Sequence, residues 1–125
     1  MTTVAVIGCT HAGTFATTSI LKAHPDWTVH VFERNNSLSC GIALWVGNNV
    51  SNPQRMFYSS PEALVEAGAT MHMRHDVLDV DVADKTLHAR DLESGEVSEY
   101  SFDKLVVTTG SAPVLPPFLG LAQAR

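Results

Sequence analysis

Thr3-Val4-Ala5-Val6-Ile7-Gly8-Cys9-Thr10-His11-Ala12-Gly13 is the stretch that decides the fold of this 125-residue chain. Its first five residues are β-branched or small, the make-up of a strand buried on both faces. The run breaks at Gly8 and resumes as a helix-compatible segment, Ala12 to Ala23. It stops at His24-Pro25, because proline disfavours helical geometry in the residue before it. Strand, tight turn and helix N-terminus therefore follow one another directly. Such a turn offers backbone N–H groups and the positive end of a helix dipole, which suit a pyrophosphate. In the Gly-x-Gly-x-x-Gly spacing the first glycine makes the turn and the last lets helix and strand approach. Gly8 and Gly13 hold those two places, and Thr10 stands at the middle one.

A second hydrophobic run, Thr28 to Phe32, ends in Glu33, twenty residues after Gly13. That is where a Rossmann-type βαβ unit carries the carboxylate that accepts hydrogen bonds from an adenosine ribose, and an acid there disfavours a 2′-phosphate. A βαβ unit whose glycines serve packing alone is the other reading. Further on, a short helix is expected after Cys40. Ser59-Ser60-Pro61-Glu62 combines a serine cap, a proline at the first helical position and an early acid, with Gly68 as the stop. Ala69 to Met73 reads as a parallel strand. Val77 to Phe102 alternates in twos around the turn signals Ala83-Asp84-Lys85 and Glu93-Ser94-Gly95-Glu96, predicting a three-stranded antiparallel meander. Leu105 to Thr108 is another buried strand, closed by Thr109-Gly110-Ser111-Ala112-Pro113. The expected architecture is α/β: a Rossmann-like parallel sheet with an inserted meander.

Composition narrows the function. Hydrophobic residues make up 45% and charged residues 17%, a globular balance. A formal charge of −5 supplies no basic field for nucleic acid or anionic lipid. Neither a signal peptide nor a membrane span is legible, since the apolar N-terminal run is only five residues long. Two cysteines, Cys9 and Cys40, do not make a disulfide framework, and a reducing cytoplasm is the expected compartment. Met71-His72-Met73-Arg74-His75 raises the question of a metal. On one continuous strand His72 and His75 point to opposite faces, so no metal site is expected and a solvated strand end is. Cys9, inside the turn, reads as structural, and Trp45, Phe57 and Tyr58 read as packing residues.

Cys40 lies in Leu38-Ser39-Cys40-Gly41-Ile42-Ala43-Leu44 with no cysteine near it in sequence. Taken with Gly-Cys-Thr-His-Ala-Gly, the Glu33 strand end, Phe57-Tyr58-Ser59-Ser60-Pro61-Glu62, the meander and Val106-Val107-Thr108-Thr109-Gly110-Ser111-Ala112-Pro113, it closely resembles a known family. The match is to the N-terminal FAD-binding segment of the NADH oxidase, NADH peroxidase and coenzyme A-disulfide reductase group, over Val4 to about Pro117. Leu38 to Leu44 followed by Trp45-Val46-Gly47 is most similar to the water-forming NADH oxidases. The resemblance implies FAD as cofactor and NADH as electron donor, with oxygen or peroxide accepting the electrons. Gly8, Thr10, Ala12 and Gly13 would line the pyrophosphate, Glu33 would hold the ribose, and Thr109-Gly110 would close over the cofactor. Cys40 would cycle between thiolate and sulfenic acid, with His11 beside it. Arg34, Ser39 and Val77 match positions that touch the cofactor.

A thiol at a helix start near a cationic group favours the thiolate, and the absence of a second nearby cysteine keeps its sulfenic acid from becoming an internal disulfide. The resemblance also implies an NADH-binding domain, a returning FAD segment and a dimerisation domain, which these residues do not contain. The chain is thus expected to be an N-terminal portion, its other domains absent or on another chain, with a homodimer one possible assembly. Glu33 to Cys40 is seven residues, where the resemblance implies a longer loop. About three residues fewer removes roughly 10 Å of reach. A non-catalytic nucleotide-binding remnant and a coenzyme A-disulfide reductase-type flavoprotein are the alternative readings.

Overall fold

In the computed structural model, residues 2–35, 61–111 and 117 are described. Within them the chain runs β1 (Thr3–Ile7), α1 (His11–Ala23), β2 (Thr28–Glu33), α2 (Pro61–Glu66), β3 (Ala69–Met73), β4 (His75–Asp81), β5 (Thr86–Asp91), β6 (Val97–Ser101) and β7 (Lys104–Val107). β3, β2, β1 and β7, in that order, form a parallel sheet. β4, β5 and β6 form a separate antiparallel sheet. The α/β reading and the meander therefore hold, with boundaries moved by one or two residues. The expected short helix after Cys40 and the Ser59-Ser60 cap fall outside the described residues.

Period-two alternation divides the parallel sheet between two cores. Val4, Val6, Val29 and Val31 face one side, where Cys9, Leu21, Leu64 and Ala69 complete an aliphatic cluster with both helices. Ala5, Ile7 and Phe32 face the other, against Leu87, Ala89 and Phe102 of the meander region. α1 contributes a stripe of Gly13, Thr17 and Leu21, spaced by four so that they share one face. It ends where proline requires, the His24 N–H reaching the Ile20 carbonyl and the His24 ring lying 3.7 Å from Trp27, nearly parallel. α2 ends at Gly68, whose φ of +114° is the left-handed conformation that glycine tolerates.

One local expectation is overturned. Between β3 and β4 the chain turns at Arg74, with φ at +57°, so the Met71–His75 segment is not a single continuous strand. His72 and His75 consequently converge, their ring centroids 5.4 Å apart. Nor is His72 a solvated strand end: it packs, half-buried, against Phe32 and Tyr100. Met71 and Met73 lie on the opposite side, against the aliphatic core. Among the described residues no three His, Cys, Asp or Glu side chains are grouped to hold a metal ion, and no helix is long and apolar enough to cross a membrane.

Candidate functional site

The glycine turn is built by close approach. The Gly8 N–H donates to the Phe32 carbonyl at 2.8 Å, and Gly8 itself adopts φ of +89°. A Cβ on Gly13 would run into the Gly8 carbonyl and stand 2.9 Å from Thr108 Oγ1. Only a bare backbone permits this crossing of helix and strand. Thr108 secures the turn from the β7 side: its Oγ1 reaches the carbonyls of Gly8 at 2.7 Å and Ile7 at 3.1 Å. Thr10 precedes α1 without any side-chain hydrogen bond to the helix end, and the first turn holds no acid. The first turn of this 13-residue helix thus contributes no carboxylate of its own against the positive helix end.

Glu33 joins the turn to β2. Its Oε2 accepts the Cys9 N–H at 2.7 Å, and Oε1 accepts the Asn35 backbone and side-chain N–H groups at 3.1 Å each. Three donors make a carboxylate that is 4% exposed tolerable. Because each oxygen has two lone-pair sites, Oε2 keeps acceptor capacity for a hydroxyl. Cys9 beside it is fully buried, 3.4 Å from Thr14 Oγ1, and burial pushes its thiol pKa up. That suits a packing residue and disfavours a thiolate.

Past Glu33 the sheet opens into a cleft of about 190 Å³. Gly8, Phe32, Glu33 and Thr109 line one part of it, and Arg34, Asn35, His75, Asp76 and Val77 the other. Arg34 is tied across the cleft mouth to Asp76, both Nε and Nη2 lying within 3.2 Å of Oδ1. Behind the cleft wall stands a stack of rings. His72 lies nearly parallel to Phe32 at 4.7 Å and its Nε2 is 3.0 Å from His30 Nδ1. Burial, with the neighbouring His30 and His75, lowers the His72 pKa to about 4. His30 is also lowered, by burial.

Residues 2–125 match the pyridine nucleotide-disulphide oxidoreductase family. The chain belongs to that family. An NADH oxidase of Enterococcus faecalis is 52% identical over 121 residues, which are 94% of this chain and 27% of that protein. The water-forming NADH oxidase from Lactobacillus brevis, solved bound to NADH, superposes with a TM-score of 0.85 at 50% identity, covering 93% of this chain and 26% of that one. Reduced CoADR-RHD from Bacillus anthracis gives a TM-score of 0.90 at 17% identity, covering 99% of this chain and 23% of that one, a likeness of fold alone. The chain spans roughly a quarter of the length of such relatives.

Of the residues singled out from the sequence of this oxidoreductase segment, Gly8, Glu33, Arg34, Val77 and Thr109 line one cleft. Thr10, His11, Ala12 and Gly13 form the adjoining helix start, and Gly110, with φ of +74°, follows Thr109. Ser39 and Cys40 lie outside the described residues. Sequence reasoning missed Thr108, Asn35, His75 and Asp76. Asn35 carried a usable signal, since it follows Glu33 within reach of its carboxylate. Asp76 carried none, its ion pair with Arg34 closing 42 residues of chain.

Proposed function

We propose that this chain supplies the FAD-binding segment of an NADH oxidase-type oxidoreductase. Electrons from NADH reach oxygen or peroxide through the flavin and the single redox cysteine, Cys40. FAD is the cofactor that the family resemblance implies, and the residues present here fit it. The observation that carries the reading is the joint placement of Gly8, Glu33 and Thr109 on one cleft beside an acid-free helix start. Gly8, Thr10, Ala12 and Gly13 present the N–H groups and close backbone approach that a pyrophosphate needs. Glu33 accepts from ribose hydroxyls, Arg34 and Val77 flank the base, and Thr109-Gly110 covers the middle of the dinucleotide.

When bound, FAD supplies two-electron uptake from NADH and delivery toward the acceptor. The chain contributes the thiol. Cys40, as thiolate, attacks a peroxide oxygen: an S–O bond forms, the O–O bond breaks, and hydroxide leaves to take a proton. His11, exposed at the first position of α1, is the group that holds that proton. Ser39, next to the thiol in sequence, is a further residue that touches the cofactor.

Titration of the purified protein with FAD, followed by flavin fluorescence and the visible spectrum, tests this reading. Saturable binding is expected, weakened about tenfold or more in Glu33→Gln, since hydrogen bonds to a charged group contribute about 1.5–3 kcal/mol. No change in the flavin signal would sink the proposal. Mass spectrometry after peroxide treatment should show one oxygen added at Cys40. A coenzyme A adduct formed there with coenzyme A disulfide would favour the disulfide reductase instead.

A further inference from the structure

The peptide linking Gly8 to Cys9 is held at both ends. Its carbonyl oxygen accepts the Thr108 hydroxyl at 2.7 Å, and its N–H, on Cys9, donates to Glu33 Oε2 at 2.7 Å. The hydroxyl has one proton to give. The Ile7 carbonyl, 3.1 Å from the same oxygen, already accepts the Thr108 backbone N–H at 2.8 Å, so the shorter contact to Gly8 takes that proton. In a planar trans peptide the C=O and N–H point opposite ways. Strand order explains why both can be met: β1 lies between β2 and β7, with Gly8 following the end of β1, Glu33 closing β2 and Thr108 following β7. Each flanking strand end contributes one hydrogen bond.

Gly8 is where such a double hold matters. Without a Cβ its backbone is little restricted, and the peptide after it can turn over at small steric cost. Turned over, it would set the Gly8 carbonyl against Glu33 Oε2, acceptor to acceptor. A carboxylate only 4% exposed would then lose one of the three N–H groups that sustain it, and would have to shift to replace it. We infer that Thr108 is a positioning residue for Glu33: its hydroxyl holds the Gly8–Cys9 peptide in the orientation that keeps Oε2 on the Cys9 N–H, and so keeps the carboxylate where a ribose hydroxyl can donate to it. Thr108 is not among the residues that line the cleft, whereas Gly8 and Glu33 are. It acts through the peptide alone.

This inference rests on the FAD reading above, and two competitors test it. Bound FAD, followed by its flavin fluorescence, is displaced with ADP and with 2′,3′-dideoxy-ADP, which keeps the base and the diphosphate and lacks both ribose hydroxyls. The wild type is expected to favour ADP about tenfold or more, the size of a hydrogen bond to a charged acceptor. Thr108→Val, which keeps the shape and removes the donor, should cut that preference by about three- to tenfold, the size of a neutral hydrogen bond, and leave the affinity for the dideoxy compound unchanged. Thr108→Ser should restore the preference, and in a Glu33→Gln background Thr108→Val should change it no further. Thr108→Ala, read in the same way, serves if the valine variant does not fold. Equal losses for both competitors would mark a purely structural role and overturn the inference, as would a preference unchanged in Thr108→Val or absent from the wild type; each of these leaves the FAD reading standing. Failure of the wild type to bind FAD overturns both.

Discussion

The two faces of the parallel sheet are built from different chemistry. Against the helices lie Val4, Val6, Val29, Val31, Leu21 and Leu64, an aliphatic core with Cys9 and Thr17 sealed inside it. Against the meander lie Phe32, Leu87, Ala89 and Phe102, fringed by His30, His72 and Tyr100. The helix-face cluster contains one thiol, Cys9, whose pKa burial raises, so the role of this face is to fix where α1 begins. The meander face carries imidazoles whose charge state is coupled to the packing of two sheets. The glycine-turn end of the cleft thus rests on steric fit, and its far end, at His75 and Asp76, on polar aromatic packing.

The largest effect should come from breaking the steric side. Gly13→Val inserts side-chain atoms where the Gly8 carbonyl already stands, and overpacking of this kind costs about 1–3 kcal/mol, more when backbone must move. Denaturant unfolding should show that loss and FAD titration should show no binding. A variant that still bound FAD normally would mean that the turn is not the pyrophosphate cradle.

Leu87→Ala asks whether the meander face is equally structural. Leu87 is fully buried at the centre of its sheet, and truncation is expected to cost about 2–4 kcal/mol. Leu64→Ala, a comparable deletion on the helix face, should cost a similar amount. If Leu87→Ala costs much less, the two sheets are only loosely packed and the contrast between the faces loses its footing.

Acid sharpens the contrast further. His72 stays neutral in the folded protein down to about 4, against its ordinary 6.5, so between those values the unfolded chain binds more protons. Stability present above pH 6.5 is therefore lost as pH falls toward 4, by about 1–2 kcal/mol once solvent screening of this half-buried ring is allowed for. His30, lowered in the same direction, adds to the slope. Thermal unfolding of His72→Phe across that window should show a shallower decline than the wild type. An identical decline would place the acid sensitivity elsewhere.

The smallest effect has the opposite sign. On the solvent side of the meander His88 Nδ1 lies 2.7 Å from Asp79 and Nε2 lies 3.3 Å from Glu99. The hydrogen bond that His88 donates to Asp79, aided by both carboxylate charges, raises its pKa. A raised value means stabilisation that is complete below the ordinary 6.5 and lost as pH climbs through the folded value. His88→Gln should flatten a slight fall in stability on the alkaline side. Because the pair is exposed, 0.5 M salt should flatten it as well, a concentration at which the screening length is only about 4–5 Å.

Much of this was legible because it is local. The glycine spacing, the proline at 25, the acid at 33 and the two-residue alternation of the meander each act within a few residues, where backbone sterics and side-chain periodicity decide the outcome. What escaped was long-range or hung on a single dihedral. Thr108 reaches the Gly8 carbonyl across 100 residues of chain, and nothing in its own neighbourhood marks it as an anchor. The metal question at His72 and His75 was argued from an uninterrupted strand, and one left-handed residue, Arg74, removed that premise.

From its residues alone, then, this chain declared a βαβ unit with a phosphate-fitting turn, a carboxylate at the second strand end and an antiparallel insert, since each follows from short-range stereochemistry. Tertiary structure decided that Glu33 also braces Cys9 and Asn35, that Arg34 is held by Asp76, and that His75 lies at the cleft. Those pairings depend on which strand ends lie side by side in the sheet. No periodicity encodes that neighbourhood, because it is settled only when the two cores close.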